Sequence, residues 1–128
     1  MGRIVTAVRI ENTTDPERTI RCNALVSTGT AHLVLPAAWR DQIGELNIVT
    51  SVDLEMPDGS TVRGDVYGPV RVTVDGFRPV YNEVVFLDMH PENGIYEPLV
   101  GYLILEQCQA AVDMVGHRLL PVNRMDLK

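Results

Sequence analysis

Punctuation limits what this chain can fold into more than any other feature of its sequence. Gly, Pro, Asn and Asp recur at short intervals through the 128 residues, and the stretches between them are brief and rich in Val, Ile and Leu. That is the pattern of an all-β domain built from short strands and tight turns. Repeats, low-complexity tracts and linkers are absent, and the length suits one domain spanning residues 1–128.

Alternation places the first elements. Ile4, Thr6, Val8 and Ile10 share one face of a strand, residues 12–17 with Asp15-Pro16 supply a turn, and Thr19 to Val26 returns with Ile20, Cys22, Ala24 and Val26 on one face. A first hairpin is therefore expected. The chain then passes through Ser27-Thr28-Gly29-Thr30, a small polar tetrad that interrupts apolar sequence, before Leu33-Val34-Leu35 resumes as a short buried strand. Residues 36–44 read as a brief helix with Pro36 at its start and Gly44 just past its end, and Trp39 and Ile43, four apart, face the core.

Further strands are expected at Ile48 to Met56, Thr61 to Tyr67, Val70 to Val74 and Val80 to Asp88, separated by Pro57-Asp58-Gly59, Gly68-Pro69 and Asp75-Gly76. Pro98-Leu99-Val100-Gly101 leads into a second helix over Tyr102 to Gln109. Strands at Ala111 to Val115 and Arg118 to Val122 then flank a Gly116-His117 turn.

Composition excludes several classes of function. With 45% apolar and 22% charged residues the chain can form a packed core. Its net charge is −6 and its eleven Lys and Arg are scattered singly, so neither nucleic acid nor an anionic membrane is an expected partner. Cys22 and Cys108 form no CxxC pair and read as buried, reduced thiols. No signal-peptide apolar region opens the sequence, and the longest apolar run, Leu99 to Leu105, is too short to span a bilayer, so a cytoplasmic location is expected. Asp88, His90 and Glu92 alternate as metal ligands on a strand would. Pro91, Pro98 and Asn93-Gly94 make that segment a loop instead, and neither a metal nor a cofactor is expected.

The ordered set of parts carries a resemblance. Leu25-Val26-Ser27-Thr28-Gly29-Thr30, followed by Leu33-Val34-Leu35-Pro36 and later by Leu99-Val100-Gly101 ahead of a helix, resembles the retropepsin-like aspartic proteases of bacteria, with serine at the aspartate position. The resemblance spans nearly the whole chain. It implies a retropepsin-like acid-protease β-barrel with one or two short helices, acting as a homodimer. It also implies a flap hairpin over residues 52–66, with Met56, Pro57, Asp58, Gly59 and Ser60 at the tip, and a closing strand at Gly116 to Pro121. In the family Thr28 bonds across the dimer, and Gly29 lets the backbone turn sharply and approach its symmetry mate. Thr28, Gly29 and Thr30 then form the peptide-binding floor, with Leu99, Val100 and Gly101 as the second motif.

Family chemistry comes from two aspartates, one per subunit, that share a proton and act together as base and acid for an attacking water. Ser27 stands in that place. A serine hydroxyl stays protonated and cannot act as the base, and losing each acid-base role removes on the order of 10²- to 10⁴-fold in rate. The expected function is therefore a homodimeric protease-fold subunit, inactive as written, that binds an extended peptide or protein segment beneath its flap. Three alternatives stand beside it: a natural aspartic endopeptidase whose aspartate was deliberately replaced by Ser27, a subunit pairing with an aspartate-bearing paralogue, and a non-proteolytic protein-association domain. A serine nucleophile is disfavoured because no G-x-S-x-G elbow occurs and His32, His90 and His117 lack an orienting partner. His32 reads as a structural neighbour of the turn.

Overall fold

A computed structural model describes residues 3–55, 59–89 and 96–122, and these residues are mostly strand. Strands β1 (Val5–Asn12) and β2 (Thr19–Val26) form the expected hairpin, paired from Val5↔Leu25 to Glu11↔Thr19. Alternation decides which way they face: Ile4, Val8, Ile10, Ile20 and Ala24 are buried. The connection is held by Asn12, whose buried amide donates from Nδ2 to the carbonyls of Ile43 and Glu45 at 2.8 and 3.0 Å. Its Oδ1 accepts from the backbone N–H and hydroxyl of Thr14, both at 2.9 Å.

β3 (Leu33–Pro36) is buried at every residue. Leu33 and Leu35 enter the main core while Val34 enters a second cluster on the opposite face, so a continuous apolar run is what this strand requires. A 3₁₀ turn at Ala37–Trp39 continues into the single-turn helix α1 (Arg40–Ile43), which ends at Gly44 with φ +79°, a conformation that favours glycine. Ile43 is fully buried and Trp39 packs on the core, also meeting Tyr96 edge-on with ring centroids 5.8 Å apart.

β4 (Asn47–Glu55) and β5 (Thr61–Val74) form the long hairpin that includes the expected flap. Here one sequence expectation is corrected. Gly68-Pro69 does not separate two strands: β5 runs through it for 14 residues, and the dipeptide sits where the pairing with β6 (Val80–Leu87) shifts register between Tyr67 and Val70. A bulge tolerates a proline that an unbroken ladder would exclude. Asp75-Gly76 turns as expected, with Phe77 N–H donating to the Val74 carbonyl at 2.9 Å.

The chain closes with β7 (Leu99–Val100), α2 (Tyr102–Gln107), β8 (Ala110–Asp113) and β9 (Arg118–Pro121). The second helix stops two residues before its expected end because Gln109 takes a left-handed backbone at φ 60°. β8 likewise stops before Val115, since Asp113 Oδ1 accepts the N–H groups of Val115 and Gly116 at 3.1 and 3.0 Å and starts the turn there. β8 and β9 pair only with each other among the described strands.

Seven strands join in the order β1-β2-β7-β3-β6-β5-β4, and a further pairing of β5 with β1 returns the hydrogen-bonded series to its first strand. The main core lies inside, built on residues such as Ile10, Ile20, Leu35, Val72 and Ile104. Val34, Val66, Val85 and Leu87 form the second cluster, against which Val52, Leu54 and Val62 of the long hairpin and Leu99 of β7 pack. No helix among the described residues is long and apolar enough to cross a membrane.

Candidate functional site

The tetrad lies in the turn between β2 and β3, where the ladder that holds β2 ends. Ser27 is half-buried, Thr28 and Gly29 are exposed, and Thr30 is half-buried. Ser27 and Thr30 close the turn on each other, their hydroxyl oxygens 3.1 Å apart. The Ser27 hydroxyl is thus directed at another hydroxyl. Among the described residues no histidine hydrogen-bonds to it.

The second motif meets the first directly. β7 inserts between β2 and β3, parallel to β2 through Leu25↔Leu99 and Val26↔Val100, and antiparallel to β3 through Val34↔Leu99. Four backbone bonds stitch the segments together. Leu25 N–H donates to the Pro98 carbonyl at 2.8 Å and Ser27 N–H to the Val100 carbonyl at 3.0 Å, while Tyr102 and Leu103 N–H donate to the Thr30 and Ala31 carbonyls at 2.8 and 3.1 Å. The first N–H groups of α2, which have no partner inside the helix, are thereby satisfied by the tetrad turn itself.

Gly101 sits at the crossing. Its φ of −88° suits any residue, so conformational freedom does not explain it. Packing does: a Cβ there would collide with the backbone oxygens of Thr30 and His32. His32 is accordingly a structural neighbour of the turn through its carbonyl. Gly29 is the opposite case: it lies with Thr28 in the expected turn, but without close packing around it. Its φ is not in the left-handed region, and a Cβ on it would meet nothing among the described residues within 4 Å.

The β4–β5 hairpin stands where the flap was expected. Gly59 is exposed at φ +87° and Ser60 is exposed beside it, while Met56, Pro57 and Asp58 lie outside the described residues. The hairpin's inward face rests on the second cluster, against which Leu99 also packs, so the expected flap and the second motif share one packed base. The expected closing strand corresponds to β9, which pairs with β8 rather than with the main sheet.

The remaining candidates do not converge on this site. Asp88 is exposed, and His90 and Glu92 lie outside the described residues, among which no group of three metal-ligating side chains occurs. His117 is exposed in the β8–β9 turn at φ 53°. Burial pushes the Cys22 thiol up to about 11 and raises that of Cys108, so neither is poised as a thiolate nucleophile. Sequence reasoning did not single out Ala31 and Tyr102, whose contribution is through backbone groups and leaves no side-chain signature.

No family model matches the chain, and no curated protein matches it either.

Proposed function

We propose that the chain is one subunit of a homodimeric retropepsin-like aspartic peptidase barrel, catalytically inactive because Ser27 occupies the aspartate position, that binds an extended peptide between flap and floor. The observation that carries this reading is the insertion of Leu99–Val100 between the two arms of the tetrad turn, with Gly101 against the Thr30 and His32 carbonyls. A turn needed only to reverse the chain has no use for so close a second segment. A reactive or recognition site does, because neighbouring backbone holds its side chains rigidly.

Gly29 supports the pairing of two copies. Among the described residues nothing lies where its Cβ would go, which leaves room for a second copy to approach there. The β8–β9 hairpin supports it too: Met114 and Val115 are 56% and 92% exposed at the tip of a two-stranded unit, a form with little stability of its own. The hydrogen bond from the Ser27 N–H to the Val100 carbonyl of β7 fixes the backbone of the position from which an aspartate would act.

The second reading, an aspartic endopeptidase whose aspartate has been replaced at Ser27, rests on the same scaffold and differs only in the history of that residue. Hydrolysis of a mixed peptide library from pH 3 to 7, by this protein beside Ser27→Asp, tests both. Cleavage by the variant alone is expected, as one restored carboxylate per subunit supplies the shared-proton pair. Cleavage by the unchanged protein would refute its inactivity.

A further inference from the structure

Away from the tetrad, a surface cleft of about 700 Å³ opens between the bulge of β5, strand β6 and helix α2. Its walls include exposed apolar side chains beside polar ones: Val49, Tyr81 and Leu103 keep 52%, 60% and 39% of their surface in contact with solvent, and Pro69 stands beside them. Such a concentration of uncovered apolar side chains on one concave surface is the usual mark of a docking site.

The walls are also fixed in place. Gln107 Nε2 donates to the Tyr81 carbonyl at 2.9 Å, Asn82 Nδ2 donates to Gln107 Oε1 at 2.8 Å, and Arg78 Nη2 donates to the Gln107 carbonyl at 2.6 Å. These bonds tie α2 to β6 and to the turn before it, so the cleft does not depend on an occupant to form.

Its charge has one sign. Glu83 and Glu106 line it, no Lys, Arg or His does, and neither carboxylate takes part in an ion pair among the described residues. A carboxylate pair beside an exposed tyrosine ring suits an arginine or lysine, which bonds the carboxylates and lies over the ring.

We infer that this cleft binds a partner segment in which a basic side chain is flanked by apolar ones, the cation meeting Glu83, Glu106 and the Tyr81 ring while the apolar neighbours cover Val49 and Leu103. The site shares no residue with the tetrad, the flap or the β8–β9 hairpin, so the inference stands independently of the reading above.

The test is fluorescence anisotropy with a labelled peptide of arginine and leucine separated by serine, beside a control peptide with glutamate in place of arginine. Saturable binding of the arginine peptide alone is expected, weakened about tenfold in Glu83→Lys/Glu106→Lys and about fivefold in Tyr81→Ala. Because the whole protein is acidic, the remote pair Glu17→Lys/Asp41→Lys gives the same change of net charge and is expected to alter affinity by less than about twofold. Thermal unfolding of each variant establishes that it is folded. Equal weakening by the remote pair, indifference to Tyr81→Ala, or absence of saturable binding by the arginine peptide would each overturn the inference.

Discussion

Two glycines of the candidate site show how a residue's neighbours determine what its side chain would cost. At Gly101 an added methyl meets backbone oxygens, which cannot rotate aside, whereas at Gly29 it meets open space. Gly101→Ala is therefore expected to destabilise the protein by about 1–3 kcal/mol, the usual range for forcing a methyl into filled space, as measured by urea unfolding. Gly29→Ala leaves protomer stability unchanged and, on the proposed dimer, lowers the self-association constant measured by sedimentation equilibrium. Cys22 carries a pH dependence. Its thiol rises from an ordinary 9.0 to about 11 because burial disfavours the thiolate. The stabilisation from keeping it protonated is complete below pH 9.0 and is lost as the pH climbs toward about 11. Cys22→Ala should lose stability less steeply than the unchanged protein across that window in chemical denaturation.

At the scale of elements, the site depends on connections rather than on strands. The β1–β2 hairpin, the strand β3 and the helical segment ending at Gly44 were legible because alternation and glycine or proline placement are local properties. The continuity of β5 was not, since Gly68-Pro69 carries the same letters in a turn as in a bulge, and only the partner strand β6 decides between them. Insertion of β7 between β2 and β3 was equally hidden from periodicity: a two-residue strand has no period, and Leu99-Val100-Gly101 gained meaning only from its order after the tetrad. From the sequence, Asn12 is only the first residue of a turn. It proves to be a buried staple joining that turn to the end of α1, with donors and acceptor all engaged. Asn12→Asp removes both amide donors and points a carboxylate at two carbonyls. A loss of about 3 kcal/mol or more is expected at neutral pH from the stranded buried polar groups, read from urea unfolding, with Asn12→Ala losing less. Equal stability of Asn12→Asp and the unchanged protein would remove the staple from the account.

For the molecule as a whole, the proposed function makes the chain half of a two-fold site. Around position 27, β7 fixes the backbone, Thr30 holds the side chain, and the long hairpin shares a packed base with Leu99 of β7. On the proposed function, Ser27→Asp would restore one carboxylate per subunit, and a second copy would supply the other. The most direct test is to titrate the Ser27→Asp variant with unchanged protein while following peptide cleavage. If two aspartates must meet across a dimer, about tenfold excess of the unchanged chain captures the variant in mixed pairs and lowers its cleavage about tenfold. Cleavage indifferent to that excess, or no cleavage by Ser27→Asp at any pH, would contradict the account.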